Sequence, residues 1–146
     1  MESADQELKR IRLEKLRQMM TPARPKPPLN VLTIATTEEF WQRLQTYKDY
    51  LLIVEFFADW CVPCKQFKPI FDMMPTKYAP KGVVLTRINS ETLPEIAQYF
   101  NVMGVPSMLF LRHKQVLHRH SGAMTRAQFE DLIQAALIKF GDPKSD

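Results

Sequence analysis

The stretch Leu51-Leu52-Ile53-Val54-Glu55-Phe56-Phe57 constrains the fold more than any other part of the chain. Side chains alternate between the two faces of a strand, so a run that is apolar at both odd and even positions must be covered on both sides. Such a strand belongs at the centre of a sheet with helices on both faces. The flanking pattern agrees. Strand-like runs at Val31–Ala35, Val83–Ile88, Ser107–Leu111 and Gln115–His120 alternate with helix-like runs at Thr37–Lys48, Cys61–Lys77, Leu93–Phe100 and Thr125–Phe140. Ser107–Leu111 and Gln115–His120, separated by a polar turn, read as an antiparallel hairpin. The fold class is therefore α/β. Thr37, followed by two glutamates, is the expected cap of its helix. Pro69 is expected to kink the helix after Cys61, and Gly141 and Pro143 to close the last one.

The chain has 146 residues, enough for one compact domain. Its formal charge of +4 is carried mainly by the first 28 residues, which hold Lys9, Arg10, Arg12, Lys15, Arg17, Arg24 and Lys26 against four acids. The remainder is nearly neutral. Asp5–Met20 places Leu8, Ile11, Leu16 and Met19 on one broad helical face and is expected to be a helix. Thr21–Asn30 contains four prolines, which favour an extended connection, so residues 1–30 form an N-terminal extension and residues 31–146 the domain. Acids interspersed among the basic residues weigh against nucleic acid as the partner of this arm. No apolar stretch approaches the roughly 20 residues that span a bilayer. The absence of an apolar signal core and the presence of acids near the N-terminus lead us to expect a cytoplasmic protein.

There are only two cysteines, Cys61 and Cys64, spaced as a redox or metal motif. Cys61 sits where a strand gives way to a helix, so its sulfur lies beside free helix amides and the positive dipole end, which stabilise a thiolate. Cys64, one turn further in, is expected to be the more buried of the two. Pro63 suits an early helical position, where its missing N–H costs nothing, and Val62 stiffens the turn. Glu55 is an ionisable group in an apolar strand. Strand alternation separates it from Phe56 and aims it beneath the following helix, where a carboxyl kept protonated by burial can exchange a proton with Cys64. The alternative is a structural ion pair with Arg87. A zinc site built from Cys61, Cys64, His118 and His120 is the competing use of the cysteines.

The run Val54-Glu55-Phe56-Phe57-Ala58-Asp59-Trp60-Cys61-Val62-Pro63-Cys64-Lys65 resembles the active-site segment of thioredoxins. Pro69 is similar to that family's helix kink, Gly104-Val105-Pro106-Ser107 to its cis-proline loop, and Gly122-Ala123 to the glycine beside its substrate groove. The resemblance covers about Val31 to Phe140. It implies a thioredoxin fold, a central five-stranded mixed sheet in the order one-three-two-four-five flanked by four helices, with the N-terminal helix as an addition. It also places the hairpin's second strand at the sheet edge away from the cysteines, which disfavours the zinc reading.

Further, the resemblance implies that Pro106 is cis, that the backbone of Val105 pairs with an extended substrate, and that Trp60, Val62, Val105 and Ala123 line a shallow apolar groove. Val62 stands where glycine is usual and Glu55 where aspartate is usual; Pro63 is like the reductases of the family. The implied activity is reduction of protein disulfides by a monomer without a bound cofactor, recharged by thioredoxin reductase or an equivalent donor. The second function class is a binding or adaptor protein that uses this fold and docks a partner through its basic arm.

Overall fold

The computed structural model describes residues 3–20 and 24–140. It contains α1 (Ala4–Met20), β1 (Leu32–Thr33), α2 (Thr37–Thr46), β2 (Leu51–Phe57), α3 (Val62–Asp72), α4 (Met74–Tyr78), β3 (Val83–Asn89), α5 (Pro94–Tyr99), β4 (Ser107–Arg112), β5 (Gln115–Ser121) and α6 (Arg126–Lys139). A short 3-10 turn, Ala79–Lys81, precedes β3. Thr21, Pro22, Gly141 and Pro143 lie outside the described residues.

The five strands form one sheet in the order β1-β3-β2-β4-β5. β1 and β2 run parallel to β3, whereas β4 runs antiparallel to both β2 and β5. β2 is thus central. Its alternation divides the core: Leu52, Val54 and Phe56 pack with Phe40, Leu44, Ile96 and Phe100 under α2 and α5. Leu51 and Ile53 pack with Phe67, Phe71, Phe129 and Ile133 under α3 and α6. Glu55 has the parity of the second set and so lies on the α3 side. On that face the rings of Phe67, Phe71 and Phe129 lie 5.2 to 6.0 Å apart and tie α3 to α6.

Several boundaries differ from the sequence reading. The helix cap is Thr36, not Thr37: its hydroxyl accepts from the Glu39 amide at 3.1 Å, while the Glu39 carboxylate accepts from the Ala35 amide at 3.0 Å. This reciprocal cap diverts the backbone after Ile34 and leaves β1 only two residues long. The helix after Cys61 is not continuous to Lys77. It passes through Pro69 and stops at Met73, whose amide turns to the Ile70 carbonyl. Pro75 is the physical reason, since continuing the helix would drive its ring into the carbonyl of Phe71. With α3 and α4 taken as one broken helix, four helical segments flank the sheet. The β4–β5 turn is made by His113 and Lys114 with φ of 53° and 65°, the paired left-handed geometry that matches strand twist. Thr125 caps α6 in a full capping box with Gln128.

The helix α1 forms as expected but has no buried residue; Leu8, Ile11, Leu16 and Met19 are all exposed. Pro27 and Pro28 are half-buried. Among the described residues, no helix is long and apolar enough to cross a membrane.

Candidate active site

β2 delivers the chain to the turn Ala58-Asp59-Trp60, where the Cys61 amide donates to the Ala58 carbonyl at 3.2 Å and closes the exit from the strand. Cys61 is then the N-cap of α3 in extended backbone geometry, and Pro63 stands in the first helical turn. The Cys61 sulfur accepts from the Cys64 amide at 3.2 Å. One free amide of the helix start therefore already points at this sulfur, as thiolate stabilisation requires. The two cysteines are joined as a disulfide with 5.2 Å between their α-carbons.

Accessibility does not distinguish the cysteines in the expected way. Cys61 is 2% exposed and Cys64 4%, so Cys64 is not the more buried in the disulfide form. Both belong to one cluster with Ala58, against which Phe57 and Val105 of the proline loop pack. What does differ is their surroundings. Cys64 lines a cavity of about 160 Å³ together with Glu55, Phe57, Ala58, Asp59, Lys65, Lys68 and Arg87. Cys61 does not line it. The cavity is large enough to admit solvent between the Glu55 carboxyl and the Cys64 side chain.

Glu55 is buried, and its Oε1 accepts from Nε of Arg87, its register partner on β3, at 3.0 Å. Oε2 has no hydrogen-bond partner among the described residues. Burial, the dominant influence, raises the Glu55 pKa above the ordinary carboxylate value despite the charge and hydrogen bond of Arg87. The ion pair considered as the alternative use of Glu55 is therefore present, in a setting that raises the proton affinity of the carboxylate.

The Val105–Pro106 bond is cis. Pro106 is buried and Val105 half-buried against the cysteines, and the Gly122 amide donates to the Pro106 carbonyl at 2.8 Å. Gly122 has φ of 95°, a backbone region that disfavours other residues. Trp60 is 67% exposed rather than a core aromatic, and Val62, Pro63 and Ala123 are also exposed. Trp60 and Val105 share one hollow with Ser90, Glu91, Val102, Met103 and Gly104. Ala123 lines a different one, between the end of β5 and α6, while Val62 and Pro63 stand on the first turn of α3 and line neither. His118 and His120 lie on the edge strand β5, separated from β2 by β4.

Sequence reasoning did not find Glu91, Met103 or Asp72. Glu91 accepts from the Trp60 indole N–H across 31 positions of sequence, a contact with no local signal. Met103, 95% exposed, borders the same hollow. Asp72 forms an ion pair with Nη2 of Arg87 at 2.9 Å and accepts from Lys68 at 2.9 Å. A signal existed for this group, because positions 64, 68 and 72 follow the four-residue repeat of one helix face.

Comparison with known proteins agrees with this geometry. The family model described as Thioredoxin matches residues 31–135. Thioredoxin-1 of Drosophila yakuba is 32% identical over 91 residues, covering 62% of this chain and 84% of that protein. Among solved structures, thioredoxin NaTrxh of Nicotiana alata superposes with a TM-score of 0.67 at 27% identity, over 78% of this chain and 97% of the other. Thioredoxin of Schistosoma mansoni does so with a TM-score of 0.66 at 25% identity, over 73% and 95%.

Proposed function

The chain belongs to the thioredoxin family and is a thiol-disulfide oxidoreductase acting on protein disulfides, and on that premise we propose that Cys61 is its attacking thiolate, Cys64 its resolving thiol and Glu55 the proton carrier for Cys64. The observation that carries the assignment is the position of Cys61 as N-cap, with the Cys64 amide donating to its sulfur.

In the dithiol form the Cys61 thiolate attacks one sulfur of a substrate disulfide, forming a mixed disulfide and releasing the other substrate sulfur as thiolate. Cys64 then gives its proton toward Glu55 and attacks the Cys61 sulfur. The second substrate thiolate leaves, the Cys61–Cys64 disulfide forms, and two electrons have passed to the substrate. The cavity shared by Glu55 and Cys64 supports this proton path.

The substrate would lie as an extended segment against Val105 and the cis Pro106. Trp60 and Val62 would flank its cysteine, Pro63 would fix the first turn of α3, and Ala123 would border the far side. Recharging the dithiol needs an external donor, for which a thioredoxin reductase or an equivalent is the natural class. We place the protein as a monomer in a reducing compartment such as the cytoplasm. The binding-protein alternative makes both cysteines dispensable. A turbidity assay of insulin reduction separates the readings: the wild-type chain should accelerate it with dithiothreitol as donor, and Cys61→Ser should not. Full activity of Cys61→Ser would end the proposal.

A further inference from the structure

We infer that Asp72, two turns beyond Cys64 on α3, is a positioning residue that sets how readily Glu55 exchanges its proton, by holding one arm of the guanidinium that Glu55 also needs. The inference rests on the reading of Glu55 as proton carrier and extends it to the machinery around it.

Arg87 is forked between two acids. Nε donates to Glu55 at 3.0 Å in the interior, and Nη2 lies 2.9 Å from Asp72 at the surface end of α3. The guanidinium carbon is 5.3 Å from the centre of the Phe71 ring and 6.0 Å from that of Phe57, so aromatic rings restrict its plane. It cannot swing both arms onto Glu55 without leaving Asp72. Asp72 is itself held by Lys68, one turn back on the same helix face. Burial works against the Asp72 anion, but the hydrogen bond from Lys68 and the adjacent Arg87 guanidinium outweigh it, so Asp72 is held below its ordinary pKa. It is a negative charge near neutral pH.

The charged and titratable groups facing Glu55 come from three elements. β3 supplies Arg87; α3 supplies Cys64, Lys65, Lys68 and Asp72; the exit turn supplies Asp59. β4 presents the uncharged Met108 as register partner. Within this set Asp72 and Lys68 act on Glu55 in opposite senses. The Asp72 charge favours the protonated acid and draws off part of Arg87, whereas the Lys68 charge favours the anion. Neither residue is hydrogen-bonded to a sulfur among the described residues, so each acts through the Arg87–Glu55 pair or through the field.

Asp72→Asn and Lys68→Gln therefore make a signed test. Both sites are on the helix surface, and both substitutes retain hydrogen-bonding groups. The Glu55 carboxyl is titrated by carbon NMR in the full-length reduced chain. In parallel, reduced protein is mixed with Ellman's reagent, 5,5′-dithiobis(2-nitrobenzoate). The first release of thionitrobenzoate reports attack by Cys61, and the second reports resolution by Cys64. Asp72→Asn should move the Glu55 titration to lower pH and speed the second release at the foot of its pH profile by roughly two- to fivefold, the scale of one partly solvated charge. Lys68→Gln should move both the opposite way. Coincident Glu55 titrations in all three proteins, or shifts of the same sign, would overturn the inference. A Glu55→Gln control with an unchanged pH profile of the second release would instead overturn the proton-carrier reading, while the NMR titration still decides whether Asp72 tunes Glu55.

Discussion

Glu55→Gln separates the two roles considered for this buried acid, proton carrier and structural partner of Arg87. Glutamine keeps the shape and leaves an amide oxygen to accept from Nε of Arg87, whose other arm keeps Asp72 as a partner. What disappears is the ability to hold and release a proton. General acid-base assistance is commonly worth 10² to 10⁴ in rate, so the second thionitrobenzoate release should slow by about 10²-fold near neutral pH while the first is nearly unchanged. Stability should change with a definite sign.

Because burial raises the Glu55 pKa, the wild-type fold has the full benefit of the neutral acid below the ordinary value of 4.5 and loses it as pH rises through the folded pKa. Across that window the loss approaches about 1.4 kcal/mol per pH unit, one proton's worth, and glutamine escapes it. Urea unfolding from pH 4 to 8 should therefore show the two proteins closest at the acid end and Glu55→Gln gaining relative to wild type as pH rises. A variant that resolves at the wild-type rate and is less stable at neutral pH would refute this reasoning and leave Glu55 as a structural partner of Arg87.

Phe129→Ala should cost about 3–5 kcal/mol in urea unfolding, since its fully buried ring joins Phe67 and Phe71 across α3 and α6; a loss under 1 kcal/mol would mean the two helices are held by other contacts. Glu130, held at a pKa of about 2 by hydrogen bonds from Lys77, Tyr78 and Arg126, contributes stability that is present above 4.5 and lost as pH falls toward 2. Glu130→Gln should flatten that part of the acid unfolding curve, and parallel curves would contradict the role. Removing residues 1–23 should shift stability by no more than about 0.5 kcal/mol and leave insulin reduction intact, because α1 buries nothing; loss of folding on deletion would show that the arm packs on the domain.

The central strand was legible because its apolar run has only one solution, and its alternation also placed Glu55 on the α3 side, opposite Phe56. Register with Arg87 needed only the pairing of β2 with β3. The errors arose where two local signals competed. Thr36 and Thr37 are equally good caps, and the Glu39 contact with Ala35 decided between them. The helix was read through to Lys77, while it ends at Met73 ahead of Pro75. Cysteine burial was misjudged because a strand-helix junction taken alone exposes its first cysteine; Val105 of the proline loop, which packs against the cysteine cluster, arrives from 44 positions along the chain. The Trp60–Glu91 contact likewise depends wholly on tertiary placement.

The central claim is that Cys61 is the thiolate and Cys64 the resolver, and the direct measurement is the order in which they react. The fully reduced protein is pulsed with substoichiometric iodoacetamide at neutral pH, and the modified residue is identified by peptide mass spectrometry. Predominant labelling of Cys61 is the result this account predicts. Predominant labelling of Cys64 under the same conditions would contradict it.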